Sequence, residues 1–97
     1  MAQKVVWTRR ATDDLYAIFE NLSAFSDTRA ETITEEIINR VFLLEQFPAL
    51  GRVVPELNIA TIRELVVRQY RVVYSLTEHG AVEILTIRHS VRPLSEI

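Results

Sequence analysis

Three apolar runs in the second half of the chain decide its fold: IRELVV at residues 62–67, YRVVYSL at residues 70–76 and VEILTIRH at residues 82–89. Each run has the length of a β-strand and is rich in β-branched or aromatic side chains. Two residues separate the first run from the second, and the turn TEHG lies at residues 77–80. Connections this short join neighbouring antiparallel strands, so the sequence predicts a three-stranded meander.

The whole chain, residues 1–97, has the size of a single domain. Apolar residues make up 48% of it, which is enough for a globular core. There is no cysteine, so disulfides and thiolate metal sites are excluded. The first residues lack the apolar centre of a signal peptide, and no apolar run reaches membrane-spanning length. We therefore expect a cytoplasmic protein with no membrane contact.

The formal net charge of −2 excludes a generally basic nucleic-acid-binding protein. The charge is uneven, because residues 1–49 hold five basic and eight acidic side chains whereas residues 50–97 hold six and five. All the basic residues of the second half are arginines, which favour bidentate contacts to carboxylate or phosphate. A local basic surface on the sheet is therefore permitted, although an ordinary solvated surface is the simpler interpretation.

The first half of the chain predicts one strand and two helices. Residues 5–7 (VVW) form a short apolar run, and Thr8 can cap a helix in which residues 11, 15, 18, 19 and 22 are apolar. Ser26 or Asp27 can cap a second helix. The apolar stripe of that helix is Ile33, Ile37, Val41 and Leu44, widened by Ile38 and Phe42. The short connection between the helices predicts an antiparallel hairpin.

The remaining segment connects the helices to the meander. Pro48 and Gly51 are predicted to end the second helix, and Pro55 indicates that residues 52–61 form a loop rather than a central strand. The element order is then β-α-α-β-β-β. The helical hairpin can cover one face of the sheet and the first strand must pair beside the meander, which predicts a two-layer α+β domain.

Strict alternation assigns the side chains of the last two strands to faces. One face of the middle strand carries Tyr70, Val72, Tyr74 and Leu76, and the other carries Arg71, Val73 and Ser75. In the last strand, one face carries Glu83, Leu85, Ile87 and His89, and the other carries Val82, Ile84, Thr86 and Arg88. The face turned away from the helices is therefore semi-apolar. Either a partner chain or the curvature of a small sheet would account for it.

Several motifs of this sequence resemble those of the ParE/RelE superfamily of bacterial toxins. They are FPxxGR at residues 47–52, IREL at residues 62–65, YRVVY at residues 70–74 and ILxIxHxxR at residues 84–92. The predicted element order is similar as well. The resemblance implies the toxin half of a type II toxin–antitoxin module, of the plasmid-stabilisation kind. It also implies a cognate antitoxin that neutralises the toxin by wrapping over the hairpin and the sheet.

The resemblance implies one of two targets. RelE-like members cleave messenger RNA on the ribosome without metal, whereas ParE-like members inhibit DNA gyrase. By resemblance, Arg71 falls on the RelE catalytic arginine, but Ile62 and Glu64 fall where RelE-like strands carry lysines. Without those cations the phosphorane-like transition state lacks stabilisation, so the ParE-like branch is favoured. The alternative, a ribosome-dependent mRNA endoribonuclease, would use Arg71, His89 and Arg92, with His89 as acid or base.

The candidate contacts to a target or to the antitoxin are arginines with structural alternatives. Arg71 can bind phosphate or an acidic antitoxin, or it can pair with Glu64 or Glu83 across the sheet. Arg52 can face the target or the negative end of the second helix. His89 can be a general acid or can close the last strand by hydrogen bonding. The full candidate set is Arg52, Arg63, Arg68, Arg71, Arg88 and Arg92.

No metal or cofactor site is predicted. The two histidines, His79 and His89, lie on different elements, with no carboxylate at ligand spacing. Tyr70 and Tyr74 are expected to pack in the core rather than to stack on bases. The expected partners are an antitoxin and DNA gyrase, with the ribosome and mRNA as the alternative. The expected assembly is a homodimer or a toxin–antitoxin hetero-oligomer.

Overall fold

The computed structural model of the protein describes residues 3–90, which form two α-helices and a five-stranded sheet. The strands are β1 (Lys4–Trp7), β2 (Arg52–Val53), β3 (Ile62–Val67), β4 (Tyr70–Leu76) and β5 (Ala81–His89). The helices are α1 (Arg9–Ser23) and α2 (Asp27–Phe42), and a 3₁₀ turn (Leu43–Glu45) follows α2. Arg92, one of the predicted site residues, lies outside the described residues.

The strands lie in the order β1-β5-β4-β3-β2. β1 runs parallel to β5, and the other neighbouring strands are antiparallel. The predicted α+β fold is confirmed, as is the pairing of the first strand beside the meander. β2 corrects the prediction of an unbroken loop over residues 52–61. Arg52 and Val53 pair with Glu64 and Arg63 at the sheet edge, ahead of Pro55, which has no N–H to donate.

Side-chain caps begin both helices where the sequence predicts them. The Thr8 hydroxyl accepts from the Ala11 amide and donates to the Ile84 carbonyl at 2.6 Å, so this cap also fastens α1 to β5. The Ser26 hydroxyl accepts from the Arg29 amide at 3.2 Å and begins α2. These two short polar residues therefore fix where the helical layer starts.

α2 ends at Phe42, earlier than the proline and glycine at positions 48 and 51 predict. The chain tightens into the 3₁₀ turn, in which the Gln46 amide donates to the Leu43 carbonyl. Leu44 lies in the core, whereas Ile38 and Phe42 are exposed on the outer side of the helix. The prediction that Ile38 and Phe42 widen the buried stripe is wrong, because α2 rests on the sheet through the narrower stripe alone.

The main core lies between the helices and one face of the sheet. α2 contributes Ile33, Ile37 and Val41, and β4 contributes Tyr70, Val72 and Tyr74. Both tyrosines are buried, as predicted. The helix side of the sheet is therefore filled by the chain itself and offers no aromatic surface for stacking on bases.

A bulge in β5 breaks the alternation that the sequence predicts. Val73 pairs with Thr86 and Tyr74 pairs with Ile84, so Leu85 is an extra residue. Because of this insertion, Ile84 and Ile87 both belong to the main core, although strict alternation places them on opposite faces. The face assignment of β5 beyond residue 84 is corrected accordingly.

The second face of the sheet is covered by the chain's own loop between β2 and β3. Val54 from this loop packs against Val73 of β4 in a small second core. Leu57, Ile62 and Leu85 surround that pair. The semi-apolar character predicted for this face is thus largely satisfied within the chain.

Candidate functional site

Arg71, which by resemblance falls on the RelE catalytic arginine, is held by two carboxylates. Its Nε donates to Glu64 Oε1 at 2.7 Å. Its two terminal nitrogens donate to the two oxygens of Glu56 at 2.6 and 2.8 Å, which is a bidentate pair. Each nitrogen of the guanidinium therefore already donates to a carboxylate. Glu64 is one of the two partners that the sequence predicts, whereas Glu83 lies further along the sheet, opposite Ser75.

Arg52 extends this contact into a row of four charges. Its Nε donates to Glu64 Oε2 at 2.6 Å, so the order is Arg52, Glu64, Arg71, Glu56. The side chain of Glu64 is fully buried and that of Arg71 is 7% exposed, whereas those of Glu56 and Arg52 are 38% and 62% exposed. The two inner charges are desolvated, and they depend on each other for compensation. We call these four residues the charge row.

Within the charge row, the pKa values of Glu56 and Arg71 shift in the direction that strengthens their ion pair. The hydrogen bonds from Arg71 lower the pKa of Glu56 to about 2, and the hydrogen bond to Glu56, with Glu64 as second partner, raises the pKa of Arg71. Because the folded-state pKa of Glu56 lies below its ordinary value of 4.5, the stability from this pair is present above pH 4.5. It is lost as the pH falls toward 2.

The segment before β2 is tied to β4 through a buried tyrosine hydroxyl. Tyr74 Oη donates to the Pro48 carbonyl and accepts from the Gly51 amide, both at 2.8 Å. Burial raises the pKa of Tyr74. Arg63 lies on the opposite face of β3 from the charge row, where its Nη1 donates to the Gly51 carbonyl at 2.9 Å. Its Nε is buried without a hydrogen-bond partner among the described residues.

The other candidate side chains are not members of the charge row. Arg68 adopts φ 55° in the turn between β3 and β4, and its Nε pairs with Glu36 at 2.7 Å. Arg88 and His89 lie at the end of β5, where the His89 ring meets Tyr70 edge-on with centroids 5.9 Å apart. The predicted arginines therefore do not form one continuous surface within residues 3–90. Arg52 and Arg71 are brought together by Glu64, and Arg88 lies on β5 directly opposite Arg71 of β4. Arg63 and Arg68 are separated from this group.

Two open cavities flank the helical layer. The first has a volume of about 480 Å³ and lies between α1 and β5. Its polar lining residues include Arg10, Asn21, Arg88 and His89. Asp14 also lines it, but its carboxylate accepts from the Thr86 hydroxyl and the Ile87 amide. This carboxylate is therefore occupied in fastening α1 to the bulged part of β5.

The second cavity, of about 400 Å³, is an apolar groove between the end of α2 and β3. Leu43, Leu50 and Val66 are exposed along it, and Arg40 and Arg52 provide its cationic rim. We call this surface the α2 groove. Helical periodicity does not predict it, because Leu50 and Val66 lie outside the helix and come next to Leu43 only when the chain folds.

Within residues 3–90 there is no cluster of His, Asp or Glu that could hold a metal ion. Among the same residues, no helix has the length and apolar character needed to cross a membrane.

Solved toxin–antitoxin structures contain this same fold. A chain of the chromosomal ParDE system from P. aeruginosa superimposes with a TM-score of 0.76 and 22% identity, covering 91% of this chain and 96% of that one. A chain of the RelBE2 toxin–antitoxin complex from Mycobacterium tuberculosis superimposes with a TM-score of 0.69 and 21% identity, covering 92% of this chain and 99% of that one. A mutant of the E. coli toxin RelE in the free state superimposes with a TM-score of 0.69 and 16% identity, covering 99% of this chain and 90% of that one. The fold class is that of the ParE/RelE toxins.

Sequence comparison narrows the class to a family. Residues 5–93 match the family described as the ParE toxin of the type II toxin–antitoxin system parDE, and the chain belongs to this family. Toxin RelE2 of Caulobacter vibrioides is 39% identical over 92 residues, covering 95% of this chain and 99% of that protein. The names of these relatives include both ParE and RelE, so target choice has to be argued from the site.

Proposed function

We propose that this protein is a cytoplasmic toxin that binds and inhibits DNA gyrase without cleaving RNA, and that a cognate antitoxin neutralises it. One observation carries the choice of target. Arg71, the arginine that falls on the RelE catalytic position, is enclosed by Glu64 and Glu56. The bidentate edge of this guanidinium is filled by Glu56, so it can bind a scissile phosphate in that geometry only by giving up the bonds to Glu56.

The surroundings of Arg71 support the same proposal. Metal-free RNA cleavage needs cations that stabilise negative charge as it develops on the phosphate. On β3 the neighbouring positions are Ile62, which packs in the second core, and Glu64, which is a buried anion. An anion at this place would oppose the charge that builds up in the transition state. The charges on this face of the sheet are therefore suited to stabilising the fold and not to stabilising a reacting phosphate.

A ribosome-dependent mRNA endoribonuclease is the second candidate. His89 favours it, because its exposed ring at the end of β5 stands beside the Tyr70 ring and near Arg88 in the chain. Imidazole is suited to proton transfer near neutral pH. In this reading, the His89→Ala variant should lose mRNA cleavage while remaining folded. In the gyrase reading, the same variant should keep its toxicity.

The gyrase proposal predicts inhibition of DNA supercoiling by the purified protein. With relaxed plasmid, gyrase and ATP, supercoiled product should decrease as toxin is added in the micromolar range. Adding the product of the adjacent reading frame should restore supercoiling. Heat-denatured toxin is the matched control. Full supercoiling at every toxin concentration tested would contradict the proposed target.

The α2 groove is the surface on which we place the antitoxin. An exposed apolar surface bounded by cations fits an amphipathic segment that carries apolar anchors and acidic side chains. Leu50 and Val66 would receive the anchors, and Arg40 and Arg52 would meet the acids. Covering this groove in a toxin–antitoxin hetero-oligomer would shield it from water. A homodimer formed through the same groove would be disrupted by the antitoxin.

We predict that Leu50→Asp weakens antitoxin binding by roughly 30-fold or more, which corresponds to about 2 kcal/mol at an interface hot spot. A carboxylate in the apolar groove is desolvated on binding and repels the acidic partner. The readout is the dissociation constant of the purified pair. Phe25→Asp is the control, because Phe25 is exposed just before α2 begins, at the opposite end of that helix from the groove. Equal losses of affinity in both variants would contradict binding of the antitoxin in the α2 groove.

A further inference from the structure

The outer carboxylate of the charge row comes from a loop and not from the sheet. Glu56 lies between β2 and β3, whereas Glu64 and Arg71 lie on paired strands. Glu56 meets Arg71 in a side-on bidentate pair, the geometry in which arginine also binds phosphate or a foreign carboxylate. An internal residue therefore occupies the position where an external oxyanion would bind.

The exposure of these groups indicates which of them can leave. The Glu64 side chain is fully buried, but that of Glu56 is 38% exposed and forms the solvent-side layer over Arg71. The loop is held by Val54, which packs in the second core and whose amide donates to the Ile62 carbonyl at 3.2 Å. Its neighbours Pro55 and Glu56 are exposed. The Glu56 carboxylate can thus move away while the sheet and Val54 stay in place.

Removing the Glu56 carboxylate changes the charge at this position. With it, the charge row holds two arginines and two carboxylates and is neutral. Without it, Arg52 and Arg71 outnumber Glu64, and the two terminal nitrogens of Arg71 lose their outer acceptor. Glu64 still accepts from Arg71, but terminal N–H groups of a desolvated guanidinium that lack an acceptor are costly, so the position then favours any oxyanion that fits.

We propose that Glu56 is a built-in occupant of an oxyanion site on Arg71, and that the site accepts a phosphate or carboxylate oxyanion from outside the chain when Glu56 withdraws. The fully buried Glu64 stays beside Arg71 throughout. The site therefore binds its anion beside a buried carboxylate, which opposes the charge that RNA cleavage builds up on a phosphate. The inference bears on the gyrase proposal, which rests on Glu64 and Glu56 enclosing Arg71, but its test measures the Tm of the toxin alone and does not depend on the target.

The test is anion rescue of the Glu56→Ala variant. Its Tm and that of wild type are measured by circular dichroism at pH 7 in sodium phosphate, sodium acetate or sodium chloride of equal ionic strength. Phosphate or acetate should raise the Tm of the variant, relative to chloride, by about 4–8 °C at several times the Kd. Wild type should show only the smaller general rise that excluded salts such as phosphate give to a folded protein, because Glu56 already fills the site. Phosphate and acetate arms distinguish the two oxyanions.

Glu36→Ala is the matched control, because it removes a carboxylate from the exposed arginine Arg68. Its response to the three salts should equal that of wild type. Glu56→Ala/Arg71→Lys should lose the rescue, since lysine cannot form the bidentate contact. If Glu56→Ala does not fold in chloride, recovery of folding on adding phosphate or acetate supports the site. An equal salt response in Glu36→Ala, or no response and no recovery in Glu56→Ala, would overturn it.

Discussion

Arg71→Ala is expected to destabilise the protein by about 3–5 kcal/mol, the cost of breaking a buried ion pair by removing one partner. The reason is Glu64, whose side chain is fully buried and would keep only the exposed Arg52 as counter-charge. Glu56 would also lose its anchor on the sheet. Because a domain of this size has a total stability of about 5–15 kcal/mol, the loss is a large part of it. Urea unfolding followed by circular dichroism measures it.

Two further variants test whether the loss of stability comes from leaving the Glu64 carboxylate without its buried partner. Arg68→Ala removes an exposed arginine paired to the half-exposed Glu36 and should cost less than about 1 kcal/mol. Arg71→Met/Glu64→Met removes both inner charges together and should recover most of the stability, since well-packed apolar replacements of buried ion pairs are often neutral. If Arg71→Ala were as stable as wild type, the structural role of Arg71 would be wrong.

Gly51→Ala is expected to cost about 3 kcal/mol, the upper part of the usual range for overpacking. A Cβ at this position would lie 2.5 Å from the Glu64 carbonyl oxygen and 2.8 Å from the Tyr74 hydroxyl and ring edge. The carbonyl belongs to β3, and the hydroxyl is fixed between the Gly51 amide and the Pro48 carbonyl. Neither neighbour can move without breaking a buried hydrogen bond, so the segment before β2 should detach. Thermal unfolding gives the measurement.

Gly80→Ala is the comparison for this effect. Gly80 has φ 77° in the turn before β5, so alanine there is strained, but the contact closest to its Cβ is the end of the flexible Gln3 side chain at 3.0 Å. The cost should be about 1–2 kcal/mol, which is the penalty for a side chain in the left-handed region. A cost at Gly80 equal to or above that at Gly51 would contradict the close packing described for Gly51.

Local sequence signals predicted much of this fold. Thr8 and Ser26 are capping residues whose partners lie three positions along the chain, so their role follows from adjacent sequence alone. The meander follows from strand-length apolar runs and short turns. The Arg71–Glu64 contact was also predictable, because the two residues lie on neighbouring strands joined by a tight turn.

Features that depend on distant parts of the chain were missed. The bulge at Leu85 shifts the last strand by one residue, and alternation has no signal for an inserted residue. The role of Glu56 depends on a loop folding back over β4. Ile38 is apolar and helical like its buried neighbours, and only the packing of α2 leaves it exposed. The second carboxylate on Arg71, which decides the chemistry, was therefore beyond sequence reasoning.

The difference between the two toxin branches then rests on a small number of charges. The fold is shared by proteins whose names include ParE and RelE, so it does not specify the target. In the gyrase proposal, Ile62 and Glu64 stand where the resemblance places the lysines of a nuclease, and Arg71 is paired with Glu64 and Glu56. The proposal takes the charge row as a part of the sheet's structure and not as an RNA-binding site.

The most direct test of this account is an mRNA cleavage assay on ribosomes programmed with a short message, with the folded wild-type toxin added. We predict that the message stays intact, because Arg71 is held by Glu64 and Glu56, and positions 62 and 64 of β3 supply no cation beside it. Codon-linked cleavage of that message, lost in a folded His89→Ala variant, would contradict the account and identify the protein as a ribosome-dependent endoribonuclease.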